Sequence, residues 1–240
     1  MTRTTNARIA GFTYLFYIVA GILGMVLFDP AAGVEGTAAK LAAITQHATD
    51  VRIGIGLNLL CCFSALVLAV TLYRITRDED PDLAMLGLTC RVGEGVIGAV
   101  FMFSTLGLLW LGTAAGANAP DPAAAQALGA FLFKVDSWSP TIGAIFFAVG
   151  STLFSYLLLR GRMVPVVLGW LGVLASILLV VLLPGQLAGF VTGPVLNFMW
   201  LPMLVFEVTL ALWLLIKGVA MPRQRLDEAS KGIQAAPVES

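Results

Sequence analysis

Arg91 and Glu94 stand three residues apart inside an apolar stretch running from 83 to about 111. On a helix that spacing puts both on one face, close enough to pair. A third charge, Glu207, lies in another apolar stretch near the C-terminus. Charges set within a membrane-length run are costly, face the protein interior as a rule, and often line ion or substrate routes. Three chemistries are open to this set. The charges can clasp two helices together. They can bind a small amphipathic or lipid ligand, with Arg91 on an anionic group. Or Glu94 or Glu207 can serve as a catalytic general acid on a lipid or isoprenoid-like substrate.

Further residues extend the set. Trp200 precedes Glu207 by seven residues, so it shares a helical face and can wall a pocket beside it. Asn58 is expected to hydrogen-bond to a neighbouring helix, because an unpaired amide in hydrocarbon is expensive. Asp136 belongs with Lys134, Ser137 and Ser139 to a second polar group. Lys134 and Asp136 are two apart and do not share a helix face, which speaks against a local ion pair. Asn58 and Asp136 are therefore secondary ligand-binding candidates.

The elements that must carry these residues are membrane helices. Of the 240 residues, 59% are hydrophobic and 12% charged, about half the charge of an ordinary soluble domain. Net charge is zero, giving no sign of nucleic-acid binding. The one histidine, His47, falls in a connector, and Cys61, Cys62 and Cys90 fall in spans. The sequence thus offers no metal-ligand cluster, no Ser-His-Asp triad and no phosphate-binding glycine loop, and no cofactor is expected.

Six apolar runs of membrane length are expected, centred on 9–28, 51–73, 83–111, 138–159, 166–183 and 196–217. The first is read as a retained span with a short N-terminus, 1–8, before it. Gly21 and Gly24 in that span permit close helix contact. Residues 37–48 fit a short interfacial helix with Leu41 and Ile44 on one side. Gly87, Arg91, Gly95 and Gly98 share one side of the third span, so another backbone can approach the charge there. The run 127–159 is too long for one simple span, and Lys134, Asp136 and Pro140 are expected to interrupt it. Pro184–Pro194 reads as a loop or re-entrant segment. Pro202 is expected to kink the last span, which also holds Asn197. The tail, 219–240, is polar.

With six spans, ten of the fourteen Lys and Arg residues collect on the side of the two termini, against Lys40, Arg52 and Lys134 opposite. The positive-inside rule then puts both termini in the cytoplasm of a multi-pass cell-membrane protein. An Arg91–Glu207 pair is geometrically plausible on this topology, with the third and sixth spans as neighbours.

Several blocks resemble a known bacterial integral-membrane family. Arg8, Gly11 and Tyr14 enter the first span, and Leu72 and Tyr73 end the second. Arg91 and Glu94 follow, then Tyr156, Leu157, Arg160, Pro165, Leu168 and Gly169. Glu207, Leu210, Trp213, Leu214, Lys217 and Gly218 close the pattern and are its most specific part. The family is domain of unknown function 4386. The resemblance implies an all-helical membrane domain over 9–218 and treats Arg91, Glu94 and Glu207 as one set. It implies no activity, substrate or cofactor.

Overall fold

The computed structural model describes residues 2–28, 33–115 and 119–220. Eight helices and no strand occur among the described residues: α1 (Arg3–Phe28), α2 (Thr37–Gln46), α3 (Ala48–Thr76), α4 (Pro81–Thr113), α5 (Pro122–Arg160), α6 (Val166–Leu187), α7 (Val195–Phe198) and α8 (Leu201–Ile216). α1, α3, α4, α5 and α6 are long and apolar enough to cross a membrane, and α8 is a shorter apolar helix of 16 residues. Large apolar side chains such as Phe12, Phe63, Phe103 and Val167 point outward, an inverted surface that suits lipid rather than water.

The long helices close into a ring. α1 packs on α3, α3 on α4, α4 on α5, α5 on α6, α6 on α8, and α8 returns to α1. α4 and α8 therefore lie across the ring from each other, and the expectation that they are neighbours is replaced by one in which they face each other through the interior. Glycines set the closest crossings. A Cβ on Gly11 would lie 2.6 Å from the Ala211 carbonyl oxygen of α8, and one on Gly95 would lie 2.9 Å from the Cys62 carbonyl oxygen of α3. Gly21, expected to make such a contact, has nothing within 4 Å, and Gly24 has only ordinary contacts with α3.

Local chemistry explains the boundaries. Asp80 caps α4 by accepting from the Leu83 N–H at 3.1 Å, with Pro81 in the first turn. Asp121 caps α5 through the N–H groups of Ala123 and Ala124, again ahead of a proline. A proline costs a first turn nothing, because its missing N–H has no partner there.

The same rule corrects one expectation. Pro202 lies in the first turn of α8, so it begins that helix and does not kink it; the break falls before it, between α7 and α8. Pro140 is the opposite case. α5 runs unbroken for 39 residues through Lys134, Asp136 and Pro140, where an interruption was expected. Packing against α4 on both sides of Pro140 holds the helix together, as neighbouring helices do for prolines in membranes. α6 likewise continues past Pro184 to Leu187, shortening the expected loop.

α2 forms where a short helix was expected, but its Leu41 and Ile44 are buried against α4 and α5 and are not turned to lipid. The expected tail falls almost wholly on 221–240, outside the described residues, and 29–32 of the first connector also lie outside them.

Candidate functional site: the charged interior of the ring

Arg91 is fully buried. Its Nη1 donates to Oε2 of Glu94 at 2.8 Å, the i, i+3 pair that the spacing predicts. The other carboxylate oxygen of Glu94 accepts from the Tyr17 hydroxyl of α1 at 2.9 Å. Glu94 is thereby satisfied from two helices, and Arg91 is not. Its Nε and Nη2 are buried without a hydrogen-bond partner among the described residues.

Three aromatic rings surround the guanidinium. Its central carbon lies 4.9 Å from the Phe147 ring centre and 5.9 Å from those of Tyr14 and Tyr17. Ring faces attract a cation and partly offset its removal from water, but they accept no N–H bond along the guanidinium edge. Room for the stem comes from Gly150 of α5, where a Cβ would lie 3.1 Å from Cγ of Arg91. Any larger residue there would press on the Arg91 stem and on Cβ of Cys90, 3.2 Å from the same point.

Glu207 projects from α8 on the far side of the ring, 6% exposed. Its Oε1 is buried and makes no hydrogen bond among the described residues, and no ion pair joins it to Arg91. Ser151 of α5 follows Gly150 directly and lies one turn from Phe147. Its hydroxyl is also buried without a partner. The other orphaned carboxylate and amide oxygens among the described residues lie in Glu79, in the α3–α4 turn, and in Gln186, near the end of α6. Arg91, Ser151 and Glu207 thus bring four unmatched polar atoms from three helices to the interior.

The other candidates fall elsewhere. Trp200 stands immediately before α8, partly exposed, with its ring 6.4 Å from that of Phe147. It touches the ring beneath Arg91 and not the charges themselves. Asp136 accepts from Ser104 at 2.8 Å and Thr105 at 2.9 Å, which ties α5 to α4 roughly 20 Å along α4 from Arg91. Lys134 pairs with its own helix, 5.5 Å over the Trp138 ring. Asn58 is exposed on α3 and makes no side-chain hydrogen bond among the described residues, contrary to the expectation that it joins a neighbouring helix. The side chain of Asn197 lies outside the described part. No group of three metal-ligating side chains occurs among the described residues.

Tyr17 and Ser151 were not foreseen. Tyr14 and Tyr17 carry a visible signal, two phenols three residues apart in an apolar span, where a hydroxyl needs a partner. Ser151 carries none, because a helical serine ordinarily bonds to its own backbone.

With helices and no strand among the described residues, an apolar exterior, five helices of membrane length and Arg91, Glu94 and Glu207 buried, the chain has the build of a multi-pass membrane protein. It belongs to the family described as Domain of unknown function (DUF4386), whose profile matches residues 9–218. No curated protein and no solved structure matches the chain.

Proposed function

We propose that the ring interior binds a small polar-headed molecule, lipid or solute, between Arg91 on α4 and Glu207 on α8. The observation that carries this reading is the set of unmatched polar atoms. A structural clasp is complete when its donors and acceptors are paired, and buried polar groups in folded proteins nearly always are. Here the Arg91 ion pair runs within one helix, so it does not tie α4 to α8. The atoms left over on Arg91, Ser151 and Glu207 form an incomplete set whose complement is a ligand.

The membrane setting belongs to the same reading. The N-terminus, the α3–α4 turn, the α5–α6 turn and the end of α8 meet at one end of the bundle. Arg3 donates to the Ile75 carbonyl and lies against Met163. Arg160 pairs with Glu79 at 3.1 Å and Asp80 at 3.2 Å, and the Ala220 N–H donates to the Met163 carbonyl at 3.1 Å. An even number of crossings, with α7 and α8 together forming the sixth, accounts for this meeting. The basic residues concentrated at that end support a cytoplasmic orientation for it, in a cell membrane.

Mass spectrometry of small molecules that co-purify with the protein tests the binding reading. A species retained by the wild type and depleted in Glu207→Gln, with the variant still folded, is the expected result. Identical profiles for the wild type, Glu94→Gln and Glu207→Gln would overturn it.

A further inference from the structure

The two unmatched nitrogens of Arg91 are Nε and Nη2, the pair whose N–H bonds run parallel along one edge of the guanidinium. That edge is a fork whose spacing fits two oxygens of a single oxoanion. Glu94 holds Nη1, on the other side of the group. The fork is therefore unpaired and buried, with the salt bridge on its other side and the Phe147 ring centre 4.9 Å from the guanidinium carbon.

Ser151 adds a third donor. In this bundle the hydroxyls of Ser64, Thr71, Thr76, Ser139, Thr152 and Ser176 all donate to the carbonyl four residues back. Ser151 does not, although it sits on the same helix as Ser139 and Thr152, and its oxygen is buried. A buried hydroxyl with its donor unused can still give a hydrogen bond to a further acceptor. Phe147, one turn earlier on the same face of α5, lies 4.9 Å from the Arg91 guanidinium carbon, so fork and hydroxyl belong to one locality. Glu207 Oε1, an acceptor, is buried and unpaired on α8, across the ring from α4.

We propose that the interior site takes a phosphoester with a hydrogen-bond donor a few bonds away. Two phosphate oxygens meet the Arg91 fork and a third meets the Ser151 hydroxyl, while an ammonium or hydroxyl of the same headgroup meets Glu207. Three donors suit a phosphate, which offers three non-ester oxygens as a monoester, or two with two ester oxygens beside them as a diester, better than a carboxylate, which has two oxygens in all. The assignment rests on the binding reading above and specifies its ligand class. The same chemistry is found on a phospholipid headgroup and on a free phosphoester.

The test uses the purified full-length protein in a phosphate-free neutral detergent, titrated with three probes and followed by native mass spectrometry. The probes are dihexanoyl phosphatidylethanolamine, dihexanoyl phosphatidic acid and soluble phosphoethanolamine. Arg91→Lys keeps the charge and removes the fork, so it weakens phosphatidylethanolamine binding about tenfold or more. Ser151→Ala disturbs folding least of the variants and weakens all phosphate probes severalfold. Glu207→Gln weakens phosphatidylethanolamine more than phosphatidic acid, which lacks the ammonium. Binding of phosphatidylethanolamine without phosphoethanolamine assigns a lipid headgroup, and equal binding of the two assigns a free phosphoester. Unchanged phosphate binding in both Arg91→Lys and Ser151→Ala overturns the proposal. A phosphate-free species retained through Glu207 also overturns it, but leaves the binding reading standing. Absence of any bound species or probe binding in the wild type overturns both.

Discussion

At Arg91 one charge-assisted bond and three ring faces are set against the cost of taking a guanidinium out of water. Breaking such a pair from one side leaves the other charge buried alone, at a cost of about 3–5 kcal/mol. Glu94→Ala is expected to destabilise the protein on that scale, and the double change Arg91→Met, Glu94→Gln by clearly less. Chemical unfolding in bicelles measures both, and a loss in the double variant larger than that of Glu94→Ala would contradict the coupling of the two charges. Tyr17→Phe removes only the phenol donor on Glu94. Its expected cost in the same assay is about 1.5–3 kcal/mol, the range for a bond to a charged group. At this scale the sequence was legible where spacing alone decides: Arg91 and Glu94 meet because they are three apart on a helix. The position of Glu207 across the ring was not, since no local pattern reports which helices face each other.

At the scale of elements, helix contacts are set by where a side chain is missing. Gly11 lets α1 reach the backbone of α8, and Gly11→Ala forces the two apart at about 1–3 kcal/mol of overpacking. Gly143 of α5 has nothing within 4 Å. Gly143→Ala is therefore expected to be neutral or to stabilise by up to about 1 kcal/mol through backbone entropy. Thermal unfolding of the two variants checks the contrast, and a loss at Gly143 as large as that at Gly11 would contradict it. The apolar runs themselves were readable, because membrane-length hydrophobicity and capped starts such as Asp80-Pro81 are local signals. Two prolines depart from expectation in opposite directions. Pro202 sits in a first turn where it costs nothing, and Pro140 sits mid-helix where packing on α4 compensates. Neither outcome follows from the residue alone; each depends on what surrounds its backbone.

Across the whole molecule, the ring order puts the most buried charge, Arg91, opposite an unpaired carboxylate, Glu207. The proposed topology is tested by single cysteines at Thr2 and Pro120 in a background with Cys61, Cys62 and Cys90 replaced by serine. Labelling of position 2 from the cytoplasm and of position 120 from outside is expected, and labelling of both from one side would contradict six crossings. The central claim, that the interior is a site and not a clasp, is tested most directly by an experimental density map of the wild-type protein in lipid nanodiscs. The account predicts a discrete density against Nε and Nη2 of Arg91 that extends toward Glu207. Glu207 seated directly on the Arg91 fork, with no density between them, would contradict it.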